Sequence, residues 1–148
     1  MLRDKSLVSF SHQHQHALAL CVRIVRALEN ADKGLSYWQA EIRAAFESEI
    51  EAHFEAEEQI LFPAAMRFEE LRKLVSELAA EHIVLRSYSL AATALSLSAR
   101  DLSDFASTLS SHVRKEEQQL FERMQQLLSE EELRQIGDSS EAFFRART

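Results

Sequence analysis

Apolar residues recur at the 3.6-residue helical period along four long stretches of this chain, and a shorter stretch follows them. The first runs from about Leu7 to Ala31, with Leu7, Phe10, Leu18, Cys21, Val25 and Leu28 on one side, and Asn30 to Gly34 end it with turn chemistry. Ser36 offers an N-cap for the second, with Gln39 three residues on as a capping box. That helix carries Ile42, Phe46, Ile50, Ile60 and Leu61 inward, and Pro63 is expected to end or kink it near Phe62. The third runs from about Phe68 to Leu97, with Leu71, Val75, Leu78, Leu85 and Ala92 inward. Asp101 caps the fourth, whose stripe is Leu102, Phe105, Leu109, Leu120, Met124 and Leu127. Ser129 with Glu132 starts a short terminal helix, which Gly137 and Asp138 interrupt before Phe143 and Phe144. The connections are a few residues each, which makes sequential helices antiparallel neighbours. The expected fold is therefore all-α: an up-down-up-down four-helix bundle over about residues 5–128, with a C-terminal extension at 129–148. The whole of 1–148 reads as a single domain.

Composition supports this and narrows function. Gly34, Gly137 and Pro63 are the only residues of their kinds among 148, too few for the turns of a β protein. With 46% hydrophobic residues and nine Phe, one sizeable core can form. A formal charge of −7 disfavours nucleic acid, whose phosphates want a basic face. The lone Cys21 forbids an internal disulfide framework and fits a reducing cytoplasm. The first residues lack a leader's apolar run, and no stretch is apolar for long enough to span a membrane.

Polar residues interrupt all four apolar stripes. His14 lies between Phe10 and Leu18, His53 and Glu57 between Ile50 and Ile60, His82 between Leu78 and Leu85, and His112 and Glu116 between Leu109 and Leu120. Burying an unpartnered carboxylate costs several kcal/mol even after relaxation. Spacing supplies the reason for the expense. Residues i and i+4 lie one above the other on a helix, so His53 with Glu57, and His112 with Glu116, each present an imidazole and a carboxylate to one point. Imidazole suits zinc, iron and copper, and carboxylate suits harder ions. Four His and two Glu exceed one tetrahedral site and suit two ions, which two Glu can bridge.

A repeat strengthens the reading. HFEAEEQILF from His53 and HVRKEEQQLF from His112 both read H-x-x-x-E-E-Q-x-L-F. Each follows a helix with a core His, so the chain resolves into two αα-hairpins that can face each other across a pseudo-twofold axis. Helical phase favours His14 on the first helix, with Ala17, Leu18 and Cys21 after it. His12 and His16 face a more polar side and remain alternatives to it as ligands. Glu58, Glu81 and Glu117 adjoin these positions and can orient an imidazole, but a solvated helix face is the preferred reading for each. Cys21 reads as a small buried hydrophobe, and Tyr37, Trp38 and Tyr88 as packing residues.

The segments FSHQHQHALAL, HFEAEEQILFP, AAEHIVLR and HVRKEEQQLF, in that order, resemble the hemerythrin-like family and its His-His-Glu cation-binding branch. The resemblance implies a non-haem centre of two iron ions, with zinc or manganese as alternatives. It implies His14, His53, Glu57, His82, His112 and Glu116 as ligands, Glu57 and Glu116 bridging, and a small diatomic partner such as dioxygen. The family's oxygen carriers have a second His one turn away on the third helix, where this chain has Leu78 and Arg86. Their fourth helix spaces His and Asp five apart, whereas His112 and Glu116 are four apart. Both departures argue against reversible oxygen carriage and leave a coordination position for water or substrate. The expected function is binding of dioxygen or sensing of oxygen or redox state. Alternatives are an enzyme acting on peroxide or nitric oxide, and metal storage or a structural metal site. Neither nucleic acid nor membrane is expected as a partner; Phe143 and Phe144 either cap the bundle or meet a second copy or another protein.

Overall fold

A computed structural model describes residues 2–30 and 34–147. The described residues are helical almost throughout and contain no strand. We number five long helices: α1 (Val8–Asn30), α2 (35–66), α3 (Glu69–Thr93), α4 (99–127) and α5 (Glu130–Arg145). The expected end of α1 at Ala31 and most of the turn after it lie outside the described residues. Among the described residues, no helix is long and apolar enough to cross a membrane.

The buried face of α1 is Phe10, His14, Ala17, Leu20, Cys21, Ile24 and Ala27. This corrects the expected stripe: Val25 is 41% exposed, and Leu18 and Leu28 are only half-buried. The segment ALALCVRIV is apolar on several sides, so its sequence contrast does not fix the phase. Ser36 is not the cap of α2. The helix starts at Leu35 after Gly34, and Gln39 instead crosses the interior, accepting a 2.8 Å hydrogen bond from the Leu97 amide. Ser98, not Asp101, is the N-cap of α4; Asp101 is the reciprocal third residue of its capping box. Ser129 and Glu132 cap α5 as expected.

Neither α2 nor α5 ends at its expected interruption. Helix α2 continues through Pro63 to Met66. A π-helical turn at Glu57–Leu61 precedes the proline, with the Phe62 amide donating five residues back to Glu57, and this widened turn accommodates the ring without ending the helix. Helix α5 runs unbroken through Gly137 and Asp138. Gly137 is there for space: a Cβ at that position would stand 2.8 Å from Ser6 Oγ and 3.2 Å from Ser6 Cα.

Side-chain pairs run in reverse order between neighbouring helices. Arg23 pairs with Glu41 and His16 with Glu49 across α1 and α2; Glu70 pairs with Arg123 and Glu81 with His112 across α3 and α4. The apolar core falls into two clusters. One gathers Ile24, Trp38, Ile42, Leu85, Phe105 and Leu109. The other gathers Phe10, Leu61, Leu78, Leu120, Phe121 and Met124, and α5 covers it with Leu133 and Ile136. Phe143 and Phe144 pack partly buried on this second cluster. Each of α1 to α4 passes from one cluster to the other, and each carries polar residues at the crossing.

Candidate metal centre

That crossing layer holds His14, His53, Glu57, His82, His112 and Glu116, all of them at most 4% exposed. The six form two groups of four. His14, His53, Glu57 and Glu116 present donor atoms within 4.8 Å of one another, and so do Glu57, His82, His112 and Glu116. Both carboxylates are common to both groups. Glu57 Oε1 lies 3.1 Å from His82 Nε2 and its Oε2 3.3 Å from His53 Nε2. Glu116 Oε1 lies 3.1 Å from His14 Nε2 and 3.2 Å from His112 Nε2.

The outward nitrogens explain the inward ones. His14 Nδ1 lies 2.9 Å from Glu117, His53 Nδ1 2.6 Å from Gln13 Oε1, His82 Nδ1 2.6 Å from Glu58, and His112 Nδ1 2.8 Å from Glu81. An oxygen acceptor at every Nδ1 places the proton there and leaves each Nε2 lone pair pointing inward. Glu58, Glu81 and Glu117 are therefore half-buried acceptors for the imidazoles, not merely part of a solvated face as the sequence reading preferred. Gln13 was missed altogether, and its only sequence signal is adjacency to His14.

The repeat has a geometric meaning. The second Glu of each E-E pair reaches the single His of the opposite hairpin: Glu58 to His82, and Glu117 to His14. The closing Phe does the same, Phe62 stacking on His82 with ring centres 5.3 Å apart and Phe121 on His14 at 5.6 Å. Both E-E-Q segments begin a π-helical turn, Glu57–Leu61 and Glu116–Phe121. Such turns cluster at functional sites because they re-aim side chains without ending a helix.

This donor set fits cations. The Nε2 atoms of His14 and His53 face each other at 3.1 Å, and those of His82 and His112 at 3.2 Å. Glu57 Oε2 and Glu116 Oε2 are buried with no hydrogen-bond partner. Lone pairs and carboxylate oxygens converging in a dry interior need positive charge between them. The titration behaviour says the same. Burial and the Glu116 charge push the Glu57 carboxyl well above its usual range. Burial pushes His53 well below its usual value, and burial with the nearby His112 lowers His82 to about 4. Burial also opposes charge on His14 and His112, but Glu116 and Glu117 outweigh it at His14, and Glu116 and Glu81 raise His112 to about 9. Within each facing pair the two imidazoles are thus shifted in opposite directions, His14 and His112 toward the charged form and His53 and His82 away from it.

His12 and His16 lie outside this layer; His16 is exposed and paired with Glu49. Cys21 is buried, its thiol pushed up by that burial, and belongs to neither group of four. Tyr37 donates to Glu41 and Tyr88 packs edge-on to Phe105, so neither reaches the centre. Leu78 is core, and Arg86 binds the Glu51 and Glu58 carboxylates. A small cavity adjoins the centre beside His14, His53 and His112, with space for about one water-sized molecule.

No curated protein and no solved structure matches the chain. Residues 7–124 match the family described as the hemerythrin HHE cation binding domain. That span contains all six side chains of the layer and both copies of the repeat, and the chain belongs to the hemerythrin HHE cation-binding family.

Proposed function

We propose that this chain holds two iron ions, that Glu57 and Glu116 bridge them, and that the centre binds dioxygen or reports oxygen or redox state. The observation that carries this reading is the sharing of both carboxylates by two four-residue donor groups. His14 and His53 hold one ion, and His82 and His112 the other. The reversed order of side-chain pairs supports an up-down-up-down arrangement of α1 to α4, which brings the two hairpins face to face around the ions.

When bound, the ions supply a redox couple able to pass electrons to a small oxidant. The chain does the rest. Glu58, Glu81, Glu117 and Gln13 fix each imidazole's tautomer and direction. Phe54, Phe62 and Phe121 flank the imidazoles of His82 and His14, and the two apolar clusters exclude bulk water. The adjoining cavity, with space for about one water-sized molecule, suits only a small ligand.

A second reading, an enzyme acting on peroxide or nitric oxide, draws on the same cavity and on the presence of only two imidazoles per ion. Metal analysis with optical spectra of the aerobic protein, before and after reduction, tests these readings. A diferric band that changes reversibly with oxygen supports oxygen binding. Rapid peroxide turnover with no stable oxygen-dependent band supports the enzyme. Two zinc ions, or no metal, in protein made with ample iron contradicts both.

A further inference from the structure

The pseudo-twofold arrangement is broken at one outward contact. His53 and His112 occupy equivalent places in the repeat, yet their Nδ1 atoms face different groups. His112 meets the Glu81 carboxylate at 2.8 Å, and His53 meets the Gln13 amide oxygen at 2.6 Å. Gln13 and Glu81 are themselves equivalent, each directly preceding the single His of its hairpin. The difference extends one step further. Lys115 pairs with Glu81, and the position equivalent to Lys115 in the first repeat is Ala56, which is fully buried and offers no counter-cation. The neutral amide and the alanine go together, as do the carboxylate and the lysine.

A carboxylate acceptor makes an imidazole a stronger donor to a metal than an amide oxygen does, because it stabilises positive charge on the ring. At the His82 and His112 position both imidazoles have carboxylate acceptors, Glu58 and Glu81. At the His14 and His53 position only His14 does. The small cavity touches both imidazoles of this second position, His14 and His53, and of the other position only His112.

We infer that the two metal positions are unequal: the His82 and His112 position holds its ion more tightly and fills first, and Gln13 makes the His14 and His53 position the weaker, exchangeable one beside the cavity. This rests on the two-metal reading above. Gln13 and Glu81 act as positioning residues, through the imidazoles and not on the metal. The asymmetry keeps one ion as a fixed anchor and leaves the other able to change its ligands.

The test is a titration of the metal-free full chain with Co(II) against a chromophoric chelator, which reads the two stepwise affinities. Wild type is expected to show a first step tighter than the second by more than the statistical ratio for two like positions. Gln13→Glu strengthens the second step and narrows the gap. Glu81→Gln weakens the first step by about 10–100-fold. A gain of affinity in Gln13→Glu cannot come from structural damage, so this variant keeps the test decisive if Glu81→Gln folds poorly. Two statistically equal steps in wild type, or a second step unchanged in Gln13→Glu, overturn the inequality and leave the two-metal reading standing. Binding of fewer than two Co(II) ions by wild type overturns the two-metal reading itself.

Discussion

Glu58 reaches across from one hairpin to place its carboxylate 2.6 Å from His82 Nδ1 in the other. Arg86 holds the same carboxylate, its Nη1 2.7 Å from Glu58 Oε2, so the acceptor is itself held in place. Substituting Glu58→Ala frees the His82 ring to turn and removes the acceptor that sets its tautomer. Metal affinity should fall by about 10–100-fold, with helix content unchanged. Chelator competition on the folded variant checks this. Wild-type affinity would mean that Glu58 serves only Arg86.

Buried donors that await a cation should destabilise the protein without one. Glu57 is fully buried with one oxygen unsatisfied. Pushed by burial toward its neutral form, it carries the penalty of a buried unsatisfied polar group. Glu57→Leu is therefore expected to raise the unfolding stability of metal-free protein by about 1 kcal/mol, and to lose most of the stabilisation that added metal gives wild type. Urea unfolding with and without metal reads both effects. A variant less stable than wild type in the absence of metal contradicts this account of the layer.

Gly137 shows how a packing requirement overrides a sequence signal. In an exposed helix interior, Gly→Ala gains about 1 kcal/mol. Here the new Cβ meets Ser6 Oγ at 2.8 Å and Ser6 Cβ at 3.0 Å. Gly137→Ala should instead lose about 1–2 kcal/mol as the N-terminal segment is pushed away, and Ser6→Gly in the same chain should recover part of that loss. Thermal unfolding of the single and double variants tests the pair; a stabilised single variant would show that the close approach costs nothing.

The acid side of the stability profile should carry the α5 cap. The Ser129 amide, then Arg67, hold the Glu132 carboxyl at about 2, against an ordinary value of 4.5. A depressed folded value contributes stability that is present above about 4.5 and lost as pH falls through about 2. Urea midpoints measured from pH 6 to pH 2 should therefore show the gap between wild type and Glu132→Gln closing as pH falls. A gap that stays constant over that range would mean that the carboxylate charge plays no part in the cap.

What the sequence displayed was what lies along one helix. His53 with Glu57 and His112 with Glu116 stand out because a single helix brings i and i+4 together, and Ser129 with Glu132 because a capping box is local. What it concealed lies between helices. Nothing along the chain relates Glu58 to His82 or Glu117 to His14, since those contacts exist only once the two hairpins face each other. The Gly137 contact with Ser6 is equally invisible, so a residue that usually breaks helices was read as a break. Pro63 does not end its helix: a π-helical turn at Glu57–Leu61 precedes it, and the apolar period does not announce such a turn. On α1, Leu7, Phe10 and Cys21 are buried as the stripe implies, but Leu18, Val25 and Leu28 each yield to the preceding residue because the middle of the helix is apolar on too many sides. His14 was distinguished from His12 and His16 by its neighbours alone, and the structure buries it to 3% exposure while the other two lie outside the buried layer.

The most direct test of the central claim is a count of tightly held metal ions per chain, by native mass spectrometry after anaerobic loading with Fe(II) and removal of excess. The account predicts two ions in wild type. It predicts none or one in Glu116→Ala and in His53→Ala, each variant folded by circular dichroism. A wild-type count of none or one, or an unchanged count of two in both variants, would contradict it.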